Sequence, residues 1–104
     1  MRWQRMILAA ATVAGLFATG CSGPTPETRE NRKQFDFLLT AITLKKPKLV
    51  EQSAGRIAAR HSSGKISDGR YREILEVIAK AKAGDWPEAE KRGYEFRDRN
   101  PFFD

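Results

Sequence analysis

The sequence predicts an all-α fold, a small bundle of three to four helices in antiparallel hairpins that follows a cleaved signal and a flexible tether. Apolar residues recur at helical spacing in four successive segments, and proline, glycine or serine separates these segments. No segment shows the strict alternation or the β-branched richness of a strand. The single cysteine excludes an intramolecular disulfide, so helix packing must hold the domain together.

Residues 1–20 have the order of a secretory signal. Arg2 and Arg5 form a positively charged start, residues 6–17 form an apolar segment, and small residues then lead to Cys21. A membrane span needs roughly 20 apolar residues, and this segment is shorter. We therefore expect export and cleavage rather than a retained transmembrane helix.

The end of this signal, Ala18-Thr19-Gly20-Cys21, resembles the lipobox of bacterial lipoproteins, with Ala18 where leucine is usual. The resemblance implies that the Cys21 thiol receives a diacylglyceryl group and becomes the first residue after cleavage. Two acyl chains anchor a protein stably, whereas one holds it only marginally. Ser22 is similar to the residue that directs Gram-negative members to the outer membrane. We expect an exported protein anchored to the cell membrane or outer membrane and facing the periplasm; the alternative is a free thiol behind a generic signal.

Residues 21–30 are expected to form the lipidated cysteine and a flexible tether, and residues 31–104 the helical domain. The tether contains two prolines and a glycine, and it has no apolar side chain beyond Cys21. A first helix is predicted over about 31–45, because its apolar side chains lie at i, i+3, i+4 and i+7. These side chains are Phe35, Leu38, Leu39 and Ile42.

Proline, serine and glycine delimit the second and third helices. Proline is tolerated in the first turn of a helix, so the second helix is predicted from Pro47 to about His61. The third is predicted over 68–83 with Ser67 as its N-cap. The apolar face of the second helix comprises Val50, Ala54, Ile57 and His61. That of the third comprises Tyr71, Ile74, Leu75, Ile78 and Ala81.

A fourth helix is predicted to begin after the N-cap Asp85 and to end near Arg99. Glu88 is expected to hydrogen bond back to the helix start in a capping box. Phe102 and Phe103 are expected to fold back over the bundle. The inward face of this helix comprises Trp86, Ala89, Gly93 and Phe96.

The last hairpin resembles the second half of a tetratricopeptide repeat. The matching residues are Gly84-Asp85-Trp86, Ala89, Gly93, Phe96 and Pro101. The preceding helix departs from the pattern, with Glu73, Glu76 and Lys80 where bulky apolar residues are usual and Val77 where a small one is. The alternative is that this hairpin is not a tetratricopeptide repeat and resembles one only by convergence. Because such repeats need about three copies to bury their faces, the resemblance implies that another surface covers this hairpin.

The sequence contains no recognisable catalytic constellation, and we expect a protein that is not an enzyme. His61 is the only histidine, so a metal cluster or a histidine dyad lacks its second member, and neither a metal nor a cofactor is predicted. We expect His61 to be a half-buried residue that contacts the carbonyls at a helix end. Four acid-to-base pairs at i, i+4 are expected to support helices from a solvated face. These pairs are Asp68/Arg72, Glu76/Lys80, Glu88/Arg92 and Glu95/Arg99.

Positive charge is concentrated between residues 45 and 65, which hold six basic residues and one acidic residue. The basic residues are Lys45, Lys46, Lys48, Arg56, Arg60 and Lys65. They are candidates for binding an anionic lipid headgroup, an anionic cell-wall polymer or an acidic protein, and a solvated basic face is the alternative. Nucleic acid is not expected as a partner, because the segment lacks aromatic residues that stack on bases and the chain is predicted to be exported.

Two functions follow as hypotheses. The first is a lipid-anchored, non-enzymatic adaptor or assembly subunit for another envelope protein, in which a protein partner or a homo-oligomer completes a thin core. The second is a basic module that binds anionic lipid headgroups or cell-wall polymer through helix 47–61. The membrane is a partner in both, through the lipid anchor at Cys21.

Overall fold

A computed structural model describes residues 23–104, which form a bundle of four α-helices. The helices are α1 (Pro26–Thr43), α2 (Pro47–Ser62), α3 (Asp68–Lys82) and α4 (Trp86–Arg99). The all-α prediction is confirmed. The predicted signal, Cys21 and Ser22 lie outside the described residues. Within residues 23–104, no helix has both the length and the apolar content that crossing a bilayer requires.

The four helices run alternately up and down and close into a ring. Each helix packs on the one that follows it, and α4 packs on α1. Short connections of three to five residues favour this antiparallel order. We call the end that holds the starts of α1 and α3 and the ends of α2 and α4 the lower end. The upper end holds the α1–α2 and α3–α4 turns.

The first helix begins at Pro26, five residues earlier than predicted, so residues 26–30 are helical rather than part of a tether. Thr25 and Thr28 form a reciprocal capping box. The Thr25 hydroxyl accepts from the Thr28 N–H at 3.1 Å, and the Thr28 hydroxyl accepts from the Thr25 N–H at 2.9 Å. Pro26 follows at a position where its missing N–H costs nothing. The prediction failed here because threonine replaces the glutamate or glutamine usual at the third position of the box.

The predicted N-caps of α3 and α4 are confirmed. Ser67 Oγ accepts a hydrogen bond from the backbone N–H of Arg70 at 3.4 Å. Asp85 Oδ1 accepts one from the backbone N–H of Glu88 at 3.4 Å. The bond expected in return, from the Asp85 N–H to the Glu88 carboxylate, is not formed. The Asp85 N–H instead donates to the Lys80 carbonyl at 2.9 Å, and the carboxylate accepts from Arg92 Nε at 3.0 Å.

A residue in the left-handed conformation follows each of α1, α2 and α3. Its N–H and the next N–H donate to carbonyls of the last helical turn, in the Schellman arrangement. Gly64 (φ 76°) and Gly84 (φ 79°) occupy this position after α2 and α3, whereas Lys45 (φ 54°) occupies it after α1. The first helix therefore ends at Thr43 and does not reach Lys45 as predicted. A residue with a Cβ holds this conformation at a cost of roughly 1 kcal/mol relative to glycine, so Lys45 is strained.

All four helices contribute apolar side chains to a single core. An aromatic cluster of Phe35, Phe96 and Phe103 joins α1, α4 and the C-terminal segment, with the Phe35 and Phe96 ring centroids 4.7 Å apart. Phe103 folds back as predicted, whereas Phe102 remains 46% exposed. The other buried apolar side chains are Leu38, Leu39, Ala41, Ile42, Val50, Ile57, Ile66, Ile74, Val77, Ile78, Ala81 and Ala89.

The inner face of α3 differs from the predicted one at a single position. Leu75 is exposed, and Val77 is buried in its place. Val77 lies beside Gly93 of α4 at ordinary van der Waals distance, and the missing side chain of Gly93 lets Leu39 pack directly on the α4 backbone. A Cβ at Gly93 would overlap the Leu39 side chain. The close approach of α1 to α4 therefore requires glycine at this position.

Gly93→Ala is expected to destabilise the bundle by about 1–3 kcal/mol, because the added methyl group must displace Leu39 in a packed core. Gly55→Ala is the matched control. Gly55 lies on the exposed side of α2 with open space around it, and alanine should stabilise the bundle there by about 0.5–1 kcal/mol. Urea unfolding followed by circular dichroism measures both changes. A Gly93→Ala variant with unchanged stability would contradict the close packing of α1 on α4.

Candidate functional site

The lower end of the bundle is held by a network around Asn31, a side chain of α1 that is completely buried. Asn31 Nδ2 donates hydrogen bonds to the backbone carbonyls of Lys65 at 2.8 Å and of Phe103 at 2.7 Å. Asn31 Oδ1 accepts a hydrogen bond from Arg60 Nε at 2.6 Å. A single amide group thereby joins α1 to the end of α2, to the α2–α3 turn and to the C-terminal segment.

Glu27 completes this network at the surface. Its carboxylate pairs with Arg60 Nη2 at 2.9 Å and with Lys65 Nζ at 2.7 Å. The hydrogen bond from Lys65, followed by that from Arg60, holds the pKa of the Glu27 carboxyl below its ordinary value of 4.5. Arg60 and Lys65, two of the six candidate basic residues, are therefore engaged within the chain.

Arg56 is set apart from the other candidate basic residues. Its guanidinium lies 6.0 Å from the centroid of the Phe37 ring, on the outer side of the α1–α2 hairpin. Both side chains are exposed, and a cation–π contact at an exposed site contributes about 0.5–1 kcal/mol. Arg56 thus covers part of an exposed aromatic ring.

The remaining three candidates, Lys45, Lys46 and Lys48, lie together at the upper end. They are exposed, in the α1–α2 turn and in the first turn of α2. Lys82 lies at the same end, in the last turn of α3. Between residues 23 and 104, none of these four side chains takes part in an ion pair. We call Lys45, Lys46, Lys48 and Lys82 the upper lysine cluster.

An open groove of about 520 Å³ lies between the start of α2 and the α3–α4 turn, beside the upper lysine cluster. We call it the upper groove. Its lining includes Pro47, Val50 and Glu51 on one side and Lys82, Gly84 and Trp86 on the other. Two leucines near the start of α2 add exposed apolar surface to the same end. They are Leu44, which is 54% exposed, and Leu49, which is 38% exposed.

His61 links the end of α2 to the start of α3 at the lower end of the bundle. Its Nε2 lies 2.7 Å from Asp68 Oδ1, and its ring stacks on that of Tyr71 with the centroids 4.0 Å apart. His61 was predicted to contact the carbonyls at the end of its helix, whereas its ring is oriented by Asp68 from the first turn of α3. The hydrogen bond with His61 lowers the pKa of the Asp68 carboxyl. In the described part of the chain, neither Ser62 nor Ser63 hydrogen bonds to the imidazole through its hydroxyl.

Ion pairs between α3 and α4 cover a polar face of the bundle. Among the predicted i, i+4 pairs, Glu88 and Arg92 are confirmed with a distance of 3.0 Å, and this bond lowers the pKa of the Glu88 carboxyl. Arg92 also reaches Glu76 at 3.5 Å, and Arg99 reaches Glu73 at 3.3 Å. Over residues 23–104, no group of three or more histidine, cysteine, aspartate or glutamate side chains is arranged to hold a metal ion.

Comparison with protein-family models, with curated proteins and with solved structures finds no match for this chain. The candidate surfaces rest on its own geometry. The basic run that was predicted as one face is divided, with three lysines at the upper end, two residues in the lower network and Arg56 between them. Trp86 was predicted only as part of the inner face of the fourth helix, and Lys82 was not among the candidate basic residues. The short turn between α3 and α4 could have indicated them, because in an antiparallel bundle it brings both beside the start of α2.

Asn31→Leu is expected to lower the free energy of unfolding by about 3 kcal/mol, because it leaves buried carbonyls and the Arg60 guanidinium without their partner. Gln52→Leu places the same side chain on the exposed side of α2 and should change stability by less than about 0.5 kcal/mol. Urea unfolding of the two variants tests the difference. Equal stability would show that the buried amide does not hold the lower end.

Proposed function

We propose that this chain is a lipid-anchored protein of the cell envelope whose bundle acts as a non-enzymatic adaptor or assembly subunit for another envelope protein. The short spacing between Cys21 and α1 supports this proposal. Four residue steps separate Cys21 from the cap Thr25, and an extended chain covers about 14 Å over that distance. An acylated Cys21 therefore holds the lower end of a rigid bundle close to the bilayer.

Within residues 23–104, the closed ring of helices leaves no open core face for a partner to cover. The α3–α4 hairpin leaves one face uncovered by itself, but α1 and α2 cover that face within the same chain. A partner is therefore not required to complete the core. The proposal of a partner depends instead on the upper end, where exposed Leu44 and Leu49 lie near the upper lysine cluster.

The proposed anchor precedes α1, which begins at the lower end of the bundle, whereas the candidate binding surface lies at the upper end. The first helix has 18 residues and extends about 27 Å at 1.5 Å per residue. When the lower end rests at the bilayer, the upper lysine cluster lies about 27 Å farther from the bilayer surface than the lower end does. An upright bundle therefore presents the cluster to other envelope components rather than to its own leaflet.

A second candidate function is a basic module that binds anionic lipid headgroups or cell-wall polymer through helix 47–61. The exposure of Lys45, Lys46 and Lys48 favours this function. Arg60 does not contribute to it, because Asn31 and Glu27 already bind its guanidinium. An upright bundle can reach a polymer, whereas its own leaflet becomes accessible to the upper end only when the bundle lies flat.

Lipid anchoring is tested by the mass of the mature N-terminal peptide from the membrane fraction. We expect a diacylglyceryl-modified Cys21 as the first residue, because two acyl chains are what stable anchoring requires. Cys21→Ser should leave the membrane fraction or keep its signal, whereas Ser22→Ala retains the thiol and should remain lipidated. An unmodified Cys21 in the membrane-bound protein would contradict the proposal.

The second candidate is tested by sedimentation of the Cys21→Ser protein, produced without residues 1–20, with phosphatidylglycerol vesicles or with isolated cell-wall polymer. If it holds, replacing Lys45, Lys46 and Lys48 by glutamine removes an association that also weakens as salt is raised, because exposed charges are screened. Lys33, Arg72 and Lys91, which are exposed elsewhere, provide a control triple replacement with the same loss of charge. Association that is insensitive to salt, or equally reduced by both triple variants, would contradict this function.

A further inference from the structure

We propose that the upper end of the bundle binds an acidic segment of a partner protein, and that an apolar side chain of this segment enters the upper groove. This inference rests on the proposed adaptor function and adds the place and the chemistry of the contact. Three observations carry it: the charge around the upper groove, the apolar character of its walls, and the strained backbone of Lys45.

The charge at the upper end favours an acidic occupant. Lys82 lines the groove together with Glu51. The other three residues of the upper lysine cluster are exposed in the α1–α2 turn and the first turn of α2, next to the groove residue Pro47. Asp85 lies beside the groove residues Gly84 and Trp86. Asp85 already uses its carboxylate to cap α4. Complementary charge accelerates association with an acidic segment, and like charge disfavours a basic one.

The walls of the upper groove favour a protein side chain over a purely ionic ligand. Pro47, Val50 and Trp86 provide apolar contact surface, and the volume of about 520 Å³ is sufficient for a leucine or an aromatic side chain. An anionic polymer supplies charge without an apolar side chain. The acyl chains of an anionic lipid remain in the bilayer, which lies beyond the opposite end of an upright bundle. A polypeptide with acidic and apolar residues matches both features of the surface.

Lys45 provides an observation that is independent of the groove. The equivalent positions after α2 and α3 hold glycine, which adopts the left-handed conformation without strain. Lysine at this position lowers the stability of the bundle and places a positive charge in the turn next to Pro47. Local backbone strain of this kind is concentrated at functional sites.

The test is photo-crosslinking in cells with the full lipidated chain. A photoreactive amino acid replaces Glu51 in the groove, and the comparison positions are exposed Thr40 on α1 and Asp98 on α4. We expect the Glu51 position to capture a protein segment, and mass spectrometry should find acidic residues and an apolar residue at the site of attachment. The Thr40 and Asp98 positions should not capture this segment.

Replacing Lys46, Lys48 and Lys82 by glutamine should reduce this capture about tenfold, because the groove loses its charge complementarity. The control triple replacement of Lys33, Arg72 and Lys91, which are exposed elsewhere, should leave capture unchanged. A synthetic peptide of the captured segment should change the fluorescence of Trp86 in the detergent-solubilised protein. After signal cleavage, Trp86 is the only tryptophan in the chain, so this signal reports directly on the groove.

Lys45→Gly separates binding from stability. It should raise the Tm by about 4 °C, because it relieves the left-handed strain, while it reduces capture from the Glu51 position. A purely structural role for Lys45 predicts the higher Tm with undiminished capture. Opposite changes in Tm and capture therefore support a binding role for the lysine side chain.

Several outcomes would overturn the inference. The Glu51 position could capture a neutral or basic protein segment, a second copy of this chain, or a lipid. The two triple replacements could also reduce the capture yield equally. Crosslinks from Thr40 or Asp98 alone would overturn the groove as the binding site while leaving the adaptor function in place. If no position captures a protein, the adaptor function fails together with the groove. The mass of the Cys21 peptide tests the anchor separately from all of these outcomes.

Discussion

The buried amide of Asn31 fixes the positions of the three chain segments that meet at the lower end. A buried amide must satisfy its donors and acceptor, and here its partners are the Lys65 and Phe103 carbonyls and the Arg60 guanidinium. These bonds hold the end of α2 and the C-terminal segment against α1. With the C-terminal segment held, the Phe103 ring packs on Phe96 in the core. Polar and apolar contacts thus cooperate to close the ring of helices.

The same network determines where positive charge remains available. Glu27 pairs with both Arg60 and Lys65, whereas no ion pair formed by residues 23–104 involves the upper lysine cluster. The attraction of an anionic leaflet decays over a Debye length of about 8–10 Å. In an upright bundle the cluster stands about 27 Å farther out, the length of α1. Under the proposed anchoring, the bilayer therefore competes little for this surface.

The sequence was sufficient for features that depend on near neighbours and insufficient for those that depend on contacts between helices. The cap at Asp85 was predicted because three adjacent residues carry the signal. The burial of Val77 was not predicted, because it depends on which face of α3 its packing against α2 and α4 turns inward. For the candidate site, charge in the sequence could not distinguish Arg60 and Lys65 from the upper lysines. Their partner, Glu27, lies more than thirty residues away along the chain.

The closed core also bears on the two forms of the proposed function, an adaptor or a permanent subunit. Obligate interfaces are large, mostly apolar and resemble a core divided between two chains. This bundle completes its core alone, and its upper end offers Leu44, Leu49 and one groove among lysines. Because the groove is already formed, binding needs little reorganisation of the bundle. The apolar contact contributes to affinity, and the lysines govern the rate and the selectivity of association. Such a surface favours a partner that exchanges, and therefore an adaptor over a permanently assembled subunit.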